Sequence, residues 1–172
     1  MPVYKVGQPA AAPQSWNLQV GPPGVEPNRP PATLQLAGPS VAVPMCQQAN
    51  IPLNAGSTAI ITRHLTNCSA FGILYRQGGH AWSRASLIHM LGGPDPNSVN
   101  WPALVAAMPV VEHSVFFAVL ANSSPTVLTQ PFLNAVAANL PWIPPARTWV
   151  YDQQVTAINF GLDYSAFAGE PA

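Results

Sequence analysis

The uneven distribution of proline limits where regular secondary structure can form in this chain. Eleven of the 21 prolines lie in residues 1–52, and ten are spread over the remaining 120 residues. The stretch GPPGVEPNRPPA at residues 21–32 favours polyproline II and turns, because proline fixes φ and donates no backbone hydrogen bond. We therefore predict an extended or disordered segment over residues 1–38 and a folded domain over residues 39–172.

Apolar, β-branched runs separated by turn residues indicate the strands of this domain. They predict strands at residues 58–65, 69–76, 82–90 and 112–121. Two further runs, residues 148–151 and 154–160, are expected to form a terminal hairpin with Asp152-Gln153 as its turn. Two short apolar segments, residues 33–36 and 41–43, could dock on the core.

Two helices are predicted from segments that begin with a capping residue and a proline in the first turn. Asn100 can cap a helix that continues to Pro109, and a Thr-x-Pro sequence opens a second helix over residues 129–140. The element order β-β-β-α-β-α-β-β predicts an α+β fold, with a mostly antiparallel sheet or sandwich and two helices.

The scarcity of charge excludes several classes of function. Charged residues make up 7% of the chain, against roughly 25% in an average soluble domain. Six scattered Lys and Arg cannot build the basic face that nucleic acid or an anionic membrane surface requires. Six scattered acids cannot gather the roughly 6–8 oxygen ligands of a calcium site. We therefore expect no nucleic-acid partner.

Neither a membrane span nor a signal peptide is expected from the pattern of apolar residues. Pro, Asn and Gln interrupt every window of about 20 residues that could cross a bilayer. The first residues, MPVYKVGQPAAAPQ, have no apolar core of the kind a signal peptide needs. The localisation is left open between the cytoplasm and export by a route that uses no signal peptide.

The chain has two cysteines, Cys46 and Cys68. The simplest interpretation of each cysteine is a small, buried apolar side chain. A disulfide between the two is possible. Two cysteines alone cannot make a zinc site, and neither C-x-x-C nor H-E-x-x-H spacing occurs, so no metal is expected.

Cys68 lies at a junction between two predicted strands, directly after Asn67. Asparagine tolerates left-handed backbone, so a sharp bend there could expose the sulfur and direct backbone N–H groups into the same space. A thiolate nucleophile and an oxyanion hole require this arrangement, together with a nearby base such as an imidazole.

Four histidines could supply that base. The simplest interpretation of His64 is a surface residue or a strand residue whose hydrogen bonds are satisfied. His113 is expected at the solvent edge of its strand. His80 is expected to be an exposed turn residue. His89 differs because Leu87, Ile88, Met90 and Leu91 flank it and its strand follows the Cys68 strand, so the two can be neighbours in the sheet.

Two short sequences, TRHLTNC at residues 62–68 and LIHML at residues 87–91, together resemble the glutamine deamidases of the CheD and cytotoxic necrotizing factor type. In that superfamily a cysteine turn follows one strand and a histidine follows one or two strands later, before a Gly or Pro turn. The CheD pattern also has a Thr six residues before the nucleophile, where Thr62 stands. The resemblance covers residues 62–96; Asn67 replaces the usual glycine, and the spacing from Cys68 to His89 is longer than in CheD.

The resemblance implies a protein glutamine deamidase, possibly also a transglutaminase, that needs no cofactor and could be a secreted effector or toxin. Cys68 would be the nucleophile, His89 the base and Thr62 the group that orients the imidazole. The backbone N–H groups of Asn67 and Ser69 would stabilise the oxyanion. His80 is the alternative base, because its spacing fits some toxin members. The partner would be a protein that presents a target glutamine.

Two other interpretations remain open. A papain-like amidase or peptidase would place its cysteine at the start of a helix, whereas residues 69–75 read as a strand. A non-enzymatic secreted structural or binding module would use the Pro-rich segment as a tether and tryptophans as contact patches, with Trp142 the best candidate for exposure.

Overall fold

The computed structural model describes residues 3–4, 39–65, 67–77, 82–122, 129–143, 148–151 and 157–161. The central element is the strand β5 (Cys68–Gln77), in which every residue from Cys68 to Tyr75 is buried. This burial on both faces explains the continuous apolar run CSAFGILY, since a strand covered on one side alone would alternate apolar and polar residues. Layers of structure therefore cover both faces of β5.

The larger sheet has six strands. Its central β5 pairs antiparallel with β6 (Arg84–Leu91) on one side and with β7 (Ser114–Asn122) on the other. The strand β3 (Gln48–Pro52) forms one edge beside β6. On the other side β8 (Thr148–Tyr151) runs parallel to β7, and β1 (Val3–Tyr4) runs parallel to β8.

A smaller sheet of three strands lies over one face of the larger one. Its order is β2 (Ser40–Ala42), β4 (Ala59–Arg63) and β9 (Ala157–Gly161), with β2 parallel and β9 antiparallel to β4. The core between the two sheets contains side chains from both, including Ile60, Leu74, Trp82, Leu87 and Val119.

Helices cover the opposite face of the larger sheet. They are α1 (Trp101–Ala107) and α2 (Thr129–Asn139), preceded by a short 3₁₀ helix (Pro96–Ser98). Their apolar residues meet the other set of alternating strand residues in a second core, which includes Phe71, Ile88, Leu104, Phe116 and Phe132. Neither α1 nor α2, the two α-helices among the described residues, has the length and apolar character that crossing a bilayer requires.

The start of α1 confirms the prediction made from its capping pattern. The Asn100 side chain accepts a hydrogen bond from the backbone N–H of Ala103 at 3.1 Å, and Pro102 lies in the first turn. The helix ends before Met108, one residue ahead of Pro109. The α+β class, with a mostly antiparallel sheet and two helices, is confirmed as well.

The predicted terminal hairpin is wrong. The strand β8 pairs with β1 and β7 in the larger sheet, whereas β9 pairs with β4 in the smaller one. Parallel neighbours need a crossover connection, and α2 supplies it between β7 and β8. Because β8 pairs with β7 in the larger sheet, the chain after β8 can continue into the smaller sheet as β9. The turn Asp152-Gln153 lies outside the described residues.

Two strands, β2 and β3, lie in the described residues before 58, and the sequence patterns predicted only part of them. The segment 41–43 docks as expected: its first two residues belong to β2, and Val43 follows the strand and is buried in the core. The strand β3 was not predicted because QANIP has only a weak apolar pattern. From the segment 1–38, only β1 belongs to the described residues, so the predicted extended or disordered character lies outside them, as does the segment 33–36.

Candidate active site

His89 lies near the end of β6 on the face that meets the smaller sheet, and its side chain is buried with only 3% exposed. It stands directly opposite Ala70 of β5. On its other side the backbone is bonded to the segment before β3: His89 N–H donates to Gln47 O at 2.9 Å, and Cys46 N–H donates to His89 O at 2.9 Å. The strand β5 on one side and residues 46–47 on the other therefore fix the backbone of His89.

The imidazole of His89 is held by Thr62, from strand β4 of the smaller sheet. Thr62 Oγ1 and His89 Nδ1 lie 2.7 Å apart, and Thr62 Oγ1 donates to the carbonyl oxygen of Val43 at 2.8 Å. A hydroxyl has one proton, and a carbonyl can only accept. Because that proton goes to Val43, the Thr62 oxygen accepts from His89 Nδ1–H. We therefore assign the proton of the neutral imidazole to Nδ1.

This assignment leaves Nε2 of His89 as the basic nitrogen. The atom is buried, and within the described part of the chain it has no hydrogen-bond partner. Burial lowers the pKa of His89 below its ordinary value; the Val43 carbonyl opposes this effect and the nearby His64 imidazole adds to it. The ring is therefore neutral near pH 7, with an unused acceptor.

Cys68 begins β5 on the same face of the sheet as His89. It stands opposite Leu91, two residues along β6 from His89, so Cys68 and His89 are diagonal neighbours. Such positions are about 7–8 Å apart between backbones, a gap that side chains of this length can largely span. The thiol is 6% exposed, and its Sγ lies 3.9 Å from Sδ of Met45. No hydrogen bond joins it to the described imidazole of His89.

The turn before Cys68 differs from the predicted one. The left-handed residue is His64, with φ 62°, and not Asn67. The Cys68 N–H donates to Leu65 O at 3.1 Å, which closes the turn into β5. Imidazole side chains tolerate left-handed backbone better than β-branched ones, so His64 can occupy this position at modest cost.

The two residues predicted to form the oxyanion hole lie on either side of Cys68. Asn67 is an exposed turn residue, and Ser69 is a buried strand residue whose hydroxyl donates to Gly92 O at 2.9 Å. The N–H of Cys68 is engaged by Leu65, and Ser69 is paired with Met90 on one side and Asn122 on the other, so its N–H faces a neighbouring strand. Of the two predicted donors, this leaves the backbone N–H of Asn67.

A pocket of about 470 Å³ opens beside the imidazole. Residues 42–45, residues 61–64 and His89 line it. Most of this wall is apolar, and Met45 belongs both to the pocket and to the contact with Cys68. A pocket of this size falls within the usual range for ligand sites, about 300–1,000 Å³.

The remaining candidates lie elsewhere. His80, the alternative base, falls outside the described residues. His113 is exposed, and its Nε2 lies 3.4 Å from Oε1 of Glu112. Cys46 and Cys68 are not joined by a disulfide, and Cys46 is exposed, so its interpretation as a small buried side chain is wrong. Among the described residues, no three His, Cys, Asp or Glu side chains are grouped as metal ligands.

Two contributors to this site were not identified from the sequence. Val43 supplies the carbonyl that fixes the Thr62 hydroxyl, and Met45 covers the thiol. A backbone carbonyl leaves no sequence signature. The segment 41–43 was expected to dock on the core, but not beside His89.

No protein-family model matches the chain, and no curated protein shows significant sequence similarity to it.

Proposed function

We propose that this protein is a protein glutamine deamidase in which Cys68 is the nucleophile and His89 the base. The observation that supports this most is the hydrogen bond from His89 Nδ1 to Thr62, which leaves a buried, unused Nε2 on the face of the sheet that holds Cys68. A neutral imidazole that shares a sheet face with a thiol and keeps one ring nitrogen as an acceptor suits nucleophilic cysteine chemistry.

The first half of the reaction forms a thioester. His89 Nε2 takes the proton of Cys68 Sγ, and the thiolate attacks the carboxamide carbon of a glutamine side chain. The backbone N–H of Asn67 stabilises the oxygen anion of the tetrahedral intermediate. The carbon–nitrogen bond then breaks, and the proton on His89 passes to the nitrogen, which leaves as ammonia.

The second half releases the product. Water gives a proton to His89 Nε2 as it attacks the thioester carbon, the carbon–sulfur bond breaks, and the thiolate recovers the proton. The substrate side chain becomes glutamate. A primary amine in place of water gives a crosslinked amide, which is the transglutaminase reaction.

Met45 has to move for substrate to reach the sulfur. Its thioether contacts Cys68 Sγ, and its side chain is 53% exposed. Methionine has three rotatable bonds and adapts readily to new packing. Catalytic hydrogen bonds are often long in the absence of substrate, so the separation of Cys68 from His89 is compatible with this mechanism.

The papain-like alternative lacks support because Cys68 opens a strand and not a helix. The binding-module alternative uses the Pro-rich segment as a tether and tryptophans as contacts, and Trp16 lies outside the described residues. Trp142 is partly buried and packs against Phe116, with ring centroids 6.0 Å apart, while Trp82 is buried. The prediction that Trp142 lies exposed is therefore wrong, since it contributes to the helical core.

The test is to incubate the full chain with a glutamine-rich protein such as casein in water enriched in oxygen-18. We expect ammonia release and one heavy oxygen in each glutamate that replaces a glutamine. With cadaverine added, amine incorporation would reveal the transglutaminase reaction. If neither ammonia release nor amine incorporation occurs in casein, in glutamine peptides or in a cell lysate, the proposal is wrong.

A further inference from the structure

Residues 44–47, which we call the strap, connect the smaller sheet to the larger one beside His89. All four residues are exposed, so contacts with the core contribute little to holding the strap in place. Cys46 has a left-handed backbone, φ 62°, which is unfavourable for a residue with a β-carbon. Two hydrogen bonds of 2.9 Å attach the strap to His89, from Cys46 N–H to His89 O and from His89 N–H to Gln47 O.

The His89 ring is also linked to the start of the strap. Its Nδ1–H donates to Thr62 Oγ1, and the Thr62 hydroxyl donates to the carbonyl oxygen of Val43, the residue before the strap. The strap in turn covers the thiol of Cys68, since Met45 Sδ lies 3.9 Å from Cys68 Sγ. His89 therefore contacts, directly or through Thr62, the segment that limits access to Cys68.

A second proton on the imidazole is poorly accommodated in this closed arrangement. Nδ1 already carries the ring proton, so the second one binds Nε2, which is buried and has no hydrogen-bond partner in the described part of the chain. The ionisable side chains described around the ring are Arg63 and His64 at the end of β4, Cys46 on the strap and Cys68 on β5. None of them is acidic, and β3 and β9 contribute no ionisable residue. Burial, with a smaller effect of the His64 imidazole, lowers the pKa of His89 accordingly.

We propose that the strap is an acid-sensitive cover of Cys68, which lifts when His89 takes up a second proton. The protonated ring gains an N–H that lacks an acceptor, and water reaches this group once the strap has lifted. The strand β6 resists such a movement because it is paired with β5 over eight residues. Lifting the strap carries Met45 away from the thiol. The movement does not depend on the deamidase reaction, because it changes only the exposure of Cys68.

The direction of the pH effect follows from the two states of the ring. When the strap is lifted, the imidazole meets water and its pKa returns toward the ordinary value of 6.5, whereas burial holds it lower in the closed state. The closed state is therefore fully stable above pH 6.5 and loses stability as the pH falls toward the lowered pKa. Over that interval, the ratio of lifted to closed chains rises by up to about tenfold for each pH unit.

The exposure of Cys68 is measured with 4,4′-dithiodipyridine, a disulfide that reacts with thiols in neutral and in acidic solution. The rate at Cys68 in the full chain, followed by peptide mapping, is divided by the rate in a short peptide of the same sequence, which removes the pH dependence of the thiol itself. We expect this ratio to rise about threefold or more between about pH 7.5 and about pH 5. Hydrogen exchange, corrected for intrinsic rates, should show that the Cys46 amide loses protection while the amides of β5 keep theirs.

Three histidine variants identify the ring that responds. His89→Gln removes the titrating group and should abolish the rise. His113→Gln, at an exposed histidine beside Glu112, should leave the rise unchanged. His64→Gln should keep its onset near pH 6.5 but reduce its extent, because the His64 imidazole contributes to the lowered pKa of His89. Circular dichroism checks that each variant is folded.

A rate ratio that stays constant over this pH range would overturn the proposal. So would a rise that persists in folded His89→Gln or disappears in His113→Gln. Loss of protection in the strap and in β5 together would show that acid unfolds the whole domain, and it would overturn the proposal even where His89→Gln does not fold. A strap that lifts as expected in a chain that releases no ammonia from glutamine would uphold the cover and refute the deamidase alone.

Discussion

The Thr62 hydroxyl and the His89 imidazole are joined by a hydrogen bond of 2.7 Å, from which we assign the basic ring nitrogen. Because Thr62 donates its proton to the Val43 carbonyl, it accepts from Nδ1–H and leaves Nε2 as the acceptor. In the proposed mechanism Thr62 therefore acts through His89, as a positioning residue.

Replacing Thr62 with valine removes this control. Thr62→Val leaves Nδ1–H and the Val43 carbonyl without their partner, so we expect a loss of about 1–3 kcal/mol in the free energy of unfolding. Deamidation kcat/KM should fall about tenfold to a hundredfold because the ring is no longer held in place.

Thr62→Ser is the matched control, since it keeps the hydroxyl. It should recover most of the activity, and a ¹⁵N spectrum should report proton on Nδ1 in the serine variant and mixed tautomers in the valine variant. A valine variant with the parent's tautomer and kcat/KM would contradict the positioning role.

The pH dependence of the reaction follows from the burial of His89. Burial lowers the pKa of this imidazole below 6.5, so the neutral base persists to lower pH than for an exposed histidine. The acidic limb of the profile of kcat/KM against pH should therefore lie below pH 6.5. A limb centred above pH 6.5 would show that the protonated ring is stabilised and that the proposed environment is incorrect.

The reactivity of the two thiols should differ in a way that Met45 controls. Cys46 is exposed and should react rapidly with iodoacetamide, whereas Cys68 should react slowly because it is buried beneath the Met45 thioether. Met45→Ala should speed alkylation of Cys68 by about fivefold or more, as peptide mapping by mass spectrometry would measure. Val110→Ala, which truncates another exposed apolar residue, should have no effect.

The helical side of the sheet should affect stability more than chemistry. Phe132 of α2 is fully buried, and its ring packs edge-on against Phe71 with centroids 5.2 Å apart. Phe132→Ala should cost about 3–5 kcal/mol in urea unfolding, and Phe132→Leu less. If Phe132→Ala unfolds at the same urea concentration as the parent, α2 does not pack on β5 as described.

The parts of the fold that depend on local sequence were predictable. The cap at Asn100 and the buried strand β5 are each encoded within about ten residues, by a polar side chain before a proline or by an unbroken apolar run. The assignment of β8 and β9 to different sheets depends on long-range pairing. A turn sequence such as Asp152-Gln153 carries no information about that choice.

In the candidate site, too, some residues could be predicted from the sequence and others depend on contacts across the fold. Thr62, Cys68 and His89 were identified because their residue types and spacing resemble a known pattern. Val43 contributes through its carbonyl and Met45 through a contact across the fold, so neither has a signal in the sequence. The bend before Cys68 was expected at Asn67, yet His64 adopts the left-handed backbone because the chain leaves β4 at that point.

The measurement that tests the central claim most directly compares the two cysteines. Wild-type chain, Cys68→Ser and Cys46→Ser are incubated with the same glutamine peptide, and the mass of the peptide is followed. We predict a gain of about 1 Da with wild type and with Cys46→Ser, and no change with Cys68→Ser, because Cys68 shares a face of the sheet with His89 whereas Cys46 lies in an exposed turn. Deamidation that survives Cys68→Ser, or disappears with Cys46→Ser in a folded protein, would contradict the assignment of Cys68 as nucleophile.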